Sequence, residues 1–130
     1  MQLSAHHVGI IVNDLARSKA FYAALGFEPV SERDDGTKTI CFMALGGFNL
    51  ELFAYDEPLM AQQSAGRVVG FRHLALRTDD MDDTLTELRE AGVIPLDVEP
   101  RDLPGLARLL FFRDPNGIEI EIMQDLGSDE

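Results

Sequence analysis

Two runs, HVGIIV at residues 7–12 and HLALRT at residues 73–78, decide the fold. Each leads within a few residues to an aspartate that opens a helical pattern, Asp14 in the first case and Asp80 in the second. They stand 66 positions apart, and Leu25-Gly26-Phe27 and Ala91-Gly92-Val93 close the two helical patterns at the same spacing. Glycine falls where the chain must turn left-handed. Further on, Asn49-Leu50-Glu51-Leu52 corresponds to Glu119-Ile120-Glu121-Ile122 at a separation of 70 positions. The second copy therefore carries about four extra residues in its middle. One β-α-β-β-β plan is used twice.

Periodicity predicts strands over 5–12, 27–33, 38–45, 48–54, 71–78, 94–99, 107–113 and 118–123, and helices over 15–25 and 81–91. The expected fold class is α+β, with two tandem β-α-β-β-β modules in a single domain spanning 1–130. Module one covers about 1–55, a linker about 56–70 and module two about 71–126. The linker segment contains Pro58, Gln62, Gln63, Ser64 and Gly66; Gly46-Gly47 and Asp114-Pro115-Asn116-Gly117 are the matching hairpin turns. The aspartates at 79, 80, 82 and 83 suit a helix start, where carboxylates cap free N–H groups and complement the dipole.

Composition narrows the function classes. The 130 residues carry 11 Lys and Arg against 23 Asp and Glu, a net charge of −12, so the field repels phosphate backbones and anionic membranes. Nucleic acid and membrane partners are excluded on that ground. No apolar run nears the roughly 20 residues that span a bilayer, and MQLSAHHVGI lacks the regions of a signal peptide, so a soluble, cytoplasmic protein is expected. The single cysteine, Cys41, permits neither an internal disulfide nor a cysteine-based zinc cluster, and its mid-strand place suggests core filling.

Alternation along the strands then assigns faces. Val8, Ile10 and Val12 oppose His7, Gly9 and Ile11; Leu74 and Leu76 oppose His73, Ala75 and Arg77. Leu50 and Leu52 oppose Asn49, Glu51 and Phe53, and Ile118, Ile120 and Ile122 oppose Glu119, Glu121 and Met123. His7, Glu51, His73 and Glu121 all fall opposite the apolar face. Taken singly, each is an ordinary solvated residue. The recurrence of one His–Glu pair in both copies points instead to a site for a divalent metal with two nitrogen and two oxygen ligands. Asn49 and Glu119 are expected at its rim, and His6 as a surface residue at the strand start.

The segments HHVGIIVNDLARSKAFYAALGF (6–27), NLELFAY (49–55), FRHLALRTDDMDDTLTELREAGV (71–93) and FFRDPNGIEIEIM (111–123) resemble the vicinal oxygen chelate superfamily of glyoxalases, bleomycin-resistance proteins and dioxygenases. The resemblance implies an incomplete barrel around a metal cleft, with His7, Glu51, His73 and Glu121 as ligands. A fourth ligand at Glu51 and the short FRDPNGIEIE segment are closer to glyoxalase I than to fosfomycin-resistance enzymes, extradiol dioxygenases or methylmalonyl-CoA epimerases. Glyoxalase I of the bacterial type places an Arg four residues after its first His and an Asn four residues after its first Glu, both on glutathione. Ile11 and Tyr55 stand at those positions here. Arg77, four residues after His73, is either a cationic substrate anchor or a rim arginine paired with a nearby aspartate.

The resemblance implies one divalent transition metal per site (Ni, Zn, Co, Mn or Fe) and a small-molecule substrate; the open sheet edges of an incomplete barrel, which a partner can cover, predict a homodimer. Its chemistry is that of a glyoxalase I-like lyase or isomerase. A proton moves beside a carbonyl through an enediolate, with Glu121 as base and Glu51 returning the proton, and a thiol conjugate of a 2-oxoaldehyde is one candidate substrate. The alternatives are an acyl-CoA epimerase, a dioxygenase of the same superfamily, or a non-catalytic small-molecule binder of the bleomycin-resistance type.

Overall fold

The computed structural model describes residues 1–60 and 69–126. It divides into two compact units, Met1–Ala61 and Gln62–Glu130. Positions 61–68 of the expected linker lie outside the described residues. Among the described residues no helix is long and apolar enough to cross a membrane.

The first unit runs β1 (Val8–Ile11), α1 (Leu15–Ala24), β2 (Glu28–Asp34), β3 (Lys38–Leu45) and β4 (Phe48–Tyr55); the second runs β5 (Leu74–Arg77), α2 (Met81–Glu90), β6 (Arg101–Leu103), β7 (Ala107–Arg113) and β8 (Glu119–Asp125). Each forms a four-stranded open sheet, in the orders β1-β4-β3-β2 and β5-β8-β7-β6. The first and last strands of each unit pair in parallel, Val8 opposite Leu50 and Leu74 opposite Ile120, while the hairpins pair antiparallel. The α+β plan of two β-α-β-β-β modules is therefore present.

Both helices begin and end in the same way. The Asp14 carboxylate accepts from the Arg17 amide at 3.1 Å and that of Asp80 from the Asp83 amide at 3.0 Å. At the other end Gly26 (φ 106°) and Gly92 (φ 72°) take the left-handed turn that a side chain resists. The amides beyond them reach back to the last turn, Phe27 to the Tyr22 carbonyl at 3.0 Å and Val93 to the Leu88 carbonyl at 3.2 Å. This closure satisfies helix carbonyls that would otherwise be orphaned. Ile10, Val12, Cys41, Met43, Leu50 and Leu52 are buried in the first unit and Leu110, Phe112, Ile120 and Ile122 in the second; α1 packs on β2 and β4, and α2 on β8. Cys41 is core filling, and burial pushes its thiol up from the ordinary value.

One predicted strand is displaced. Residues 94–99 form no strand; the pairing strand is Arg101–Leu103. Pro95 has no amide to offer a ladder. Its carbonyl accepts from the Val98 amide in a turn at 3.2 Å, and Arg89 takes the Val98 carbonyl at 2.9 Å. Pairing resumes only past Pro100, so most of the second copy's extra residues fall in the α2–β6 connection, and one falls in the longer turn between β7 and β8.

The turn into β8 is tied together by one carboxylate. Asp114 is buried, and its carboxylate accepts from the amides of Asn116 and Ile118 at 2.8 Å and from the Asn116 side chain at 3.0 Å. Asp114→Ala would leave these donors without their acceptor, and a loss of about 1–3 kcal/mol of stability is expected, read as a lower urea midpoint. An unchanged midpoint would show that the turn does not need this carboxylate.

Candidate functional site

In the first unit His7 precedes β1 and so sits at the mouth of the parallel β1–β4 pair. Its Nε2 lies 3.0 Å from Glu51 Oε1. Register places Phe42 of β3 directly opposite Glu51, and the Phe42 ring meets the His7 ring edge to face at 5.3 Å between centroids. The second unit repeats this row. His73 Nε2 lies 3.0 Å from Glu121 Oε1, Phe111 stands opposite Glu121, and the two rings are 5.8 Å apart, again edge to face. The side chains of Glu51 and Glu121 are 15% and 12% exposed, those of His7 and His73 35% and 24%. Each carboxylate is thus the more enclosed member of its pair.

Phe42 and Phe111 were missing from the residues singled out in the sequence. The signal that finds them is register: each occupies the antiparallel partner position of the ligand-face glutamate. Two neighbours add to these pairs. His6 is exposed, but its Nδ1 is 2.7 Å from His7 Nδ1, so it touches the first pair directly. Glu119 is only 24% exposed, and its Oε1 lies 3.6 Å from His73 Nδ1, so it belongs to the second pair's surroundings more than to a rim.

The three expected substrate residues lie farther along the strands. Ile11 is 54% exposed on β1 beside Phe53. Tyr55 ends β4, with the Lys38 ammonium over its ring at 5.7 Å. Arg77 is paired with Asp125, its Nε donating at 3.0 Å to a carboxylate oxygen. Of the two readings offered for Arg77, the local ion pair is the one seen.

Both pairs suit a metal ion. Two adjacent donors held by bonds of about 2.0–2.2 Å and meeting at about 90–109° stand about 2.8–3.6 Å apart, and both Nε2-to-carboxylate separations, 3.0 Å, fall in that range. Among the described residues, neither unit gathers three His, Cys, Asp or Glu side chains in an arrangement that could hold an ion. Each unit offers two donors.

Residues 4–122 match the Glyoxalase/Bleomycin resistance protein/Dioxygenase superfamily. The uncharacterised protein YwkD of Bacillus subtilis is 32% identical over 125 residues, covering 93% of this chain and 96% of its own. The crystal structure of the glyoxalase family protein from Enterococcus faecalis superposes with a TM-score of 0.77 at 30% identity, covering 93% of this chain and 97% of that one. The fosfomycin resistance protein FosX from Listeria monocytogenes, crystallised with Mn(II) and sulfate, shares the fold with a TM-score of 0.70 at 19% identity, covering 95% and 93%. With its doubled module, its repeated His–Glu–Phe row and a family match over nearly its whole length, the chain belongs to the glyoxalase/bleomycin resistance/dioxygenase superfamily.

Proposed function

We propose that the two His–Glu pairs together ligate one divalent transition metal, and that the protein is a glyoxalase I-like lyase or isomerase moving a proton beside a carbonyl. The observation that carries this reading is the repetition: both units hold Nε2 and Oε1 at the same 3.0 Å. A set of two imidazoles and two carboxylates suits Ni, Zn, Co, Mn or Fe better than calcium. FosX, of the same fold, is known with Mn(II), which supports a metal in this chain's site as well. When bound, the ion supplies positive charge for the anionic oxygens that develop as the proton leaves.

The chain's own residues supply the rest. His7 and His73 present Nε2 lone pairs. Glu121, the most enclosed of the four side chains, accepts the substrate proton, and Glu51 returns one. At the strand ends, Ile11 and Tyr55 offer an apolar edge and a ring in place of charged or amide groups. Arg77 must leave Asp125 before it can hold a substrate carboxylate.

Metal analysis of the purified protein, followed by rates of the loaded form, tests the reading. About one divalent ion per site is expected. Turnover of the methylglyoxal–glutathione hemithioacetal is expected, with solvent deuterium entering the product. Epimerisation of methylmalonyl-CoA alone would move the assignment to an acyl-CoA epimerase. Ligand binding with neither turnover nor proton exchange would make the protein a binder of the bleomycin-resistance type.

A further inference from the structure

The two copies differ in what addresses the second nitrogen of each histidine. In the first unit, His7 Nδ1 has His6 Nδ1 at 2.7 Å, and position 49 is an asparagine whose side-chain amide donates to the His6 carbonyl at 3.2 Å. In the second unit the residue before His73 is Arg72, and position 119 is a glutamate. His73 Nδ1 is shut off from solvent without a hydrogen-bond partner, and the carboxylate of Glu119 faces it at 3.6 Å. This solvent-shielded nitrogen, on a ring that meets Phe111 edge to face, thus has a carboxylate at hand just outside hydrogen-bond range.

We propose that Glu119 is a positioning residue: it receives the Nδ1–H of His73 and so holds the ring with its Nε2 lone pair directed to the metal. This rests on the metal reading above. Neutral imidazole carries one N–H and one lone pair, so ligation through Nε2 requires the proton on Nδ1. Glu121 cannot receive that proton, because its oxygen stands on the Nε2 side at 3.0 Å. Glu119 can, after an approach of about half an ångström. Partners of this kind fix both tautomer and ring orientation, and they raise ligand basicity. Charge enters the same argument. A carboxylate behind His73 and an imidazole behind His7 give the two copies unequal support, with His73 the better-backed ligand.

The test is Zn²⁺ affinity by chelator competition in the full-length protein, with wild type, Glu119→Ala and Glu119→Gln compared. Glu119→Ala is expected to weaken Zn²⁺ binding about 10- to 100-fold, and Glu119→Gln, which keeps a carbonyl acceptor, to recover most of that loss. In ¹H–¹⁵N spectra of the zinc-loaded protein, a slowly exchanging His73 Nδ1–H signal is expected for wild type and Glu119→Gln and absent for Glu119→Ala. Unchanged affinity in Glu119→Ala, or a Glu119→Gln as weak as Glu119→Ala, would overturn the proposal while leaving the metal reading standing. A wild type that takes up no Zn²⁺, Ni²⁺ or Mn²⁺ would overturn both.

Discussion

His7→Ala and His73→Ala are each expected to lose bound metal and activity together. Removing either imidazole takes away a nitrogen donor of the proposed set of four, and affinity should fall more than the roughly 100-fold that supporting residues cost. Metal per chain, measured after dialysis, should drop from about one ion to near zero. Each variant removes an Nε2 donor that stands 3.0 Å from its glutamate, so both should fall below stable metal retention. Unfolding is a poor alternative explanation for His7→Ala, because that side chain is 35% exposed at a strand start, and its melting temperature should stay close to wild type. In a homodimer whose ligand sets are shared between chains, mixing the two variants should restore part of the activity. Within one chain's own set it should restore none. A His7→Ala or His73→Ala protein that keeps wild-type metal content would remove that histidine from the site.

The fold was legible because two kinds of local chemistry recur. Aspartate caps with a left-handed glycine mark both helices, and alternation sorts Leu50, Leu52, Ile120 and Ile122 inward and Glu51 and Glu121 outward. These signals depend only on neighbours in the chain. The displaced strand depends on something else: Val93 to Pro100 has strand-like composition, but two prolines and the Arg89 bond to the Val98 carbonyl withdraw its backbone from pairing. At the site, His7, Glu51, His73 and Glu121 were legible from the repeat. Phe42, Phe111 and the role of Glu119 were not, because each is defined by strand register across the sheet. A shift of one residue in pairing would have put Cys41 or Leu110 beside the glutamates instead. Likewise Arg77 left two readings open in the sequence, and only the position of Asp125 two residues past Met123 on the partner strand decides between them.

Glu121→Gln separates ligand from base. Gln keeps the shape and one carbonyl oxygen, so metal should be weakened yet retained by His7, Glu51 and His73. It cannot take a proton as a carboxylate does. Loss of a general base typically costs about 10²–10⁴-fold, so kcat should fall by that much while metal content changes far less. Glu51→Gln should lower kcat less if Glu51 only returns the proton, even though the two carboxylates have matching enclosure, 15% against 12%, and matching distances to their histidines. Near-identical geometry with unequal kinetic cost would mean that substrate placement, not the ligand shell, assigns the base. Isotope exchange gives the second readout. With Glu121→Gln, wash-in of solvent deuterium at the carbon beside the carbonyl should fall in step with kcat, because both pass through the same proton removal. If deuterium wash-in persists at the wild-type rate while kcat falls, Glu121 acts after proton abstraction, and the base is Glu51 or a group outside the four.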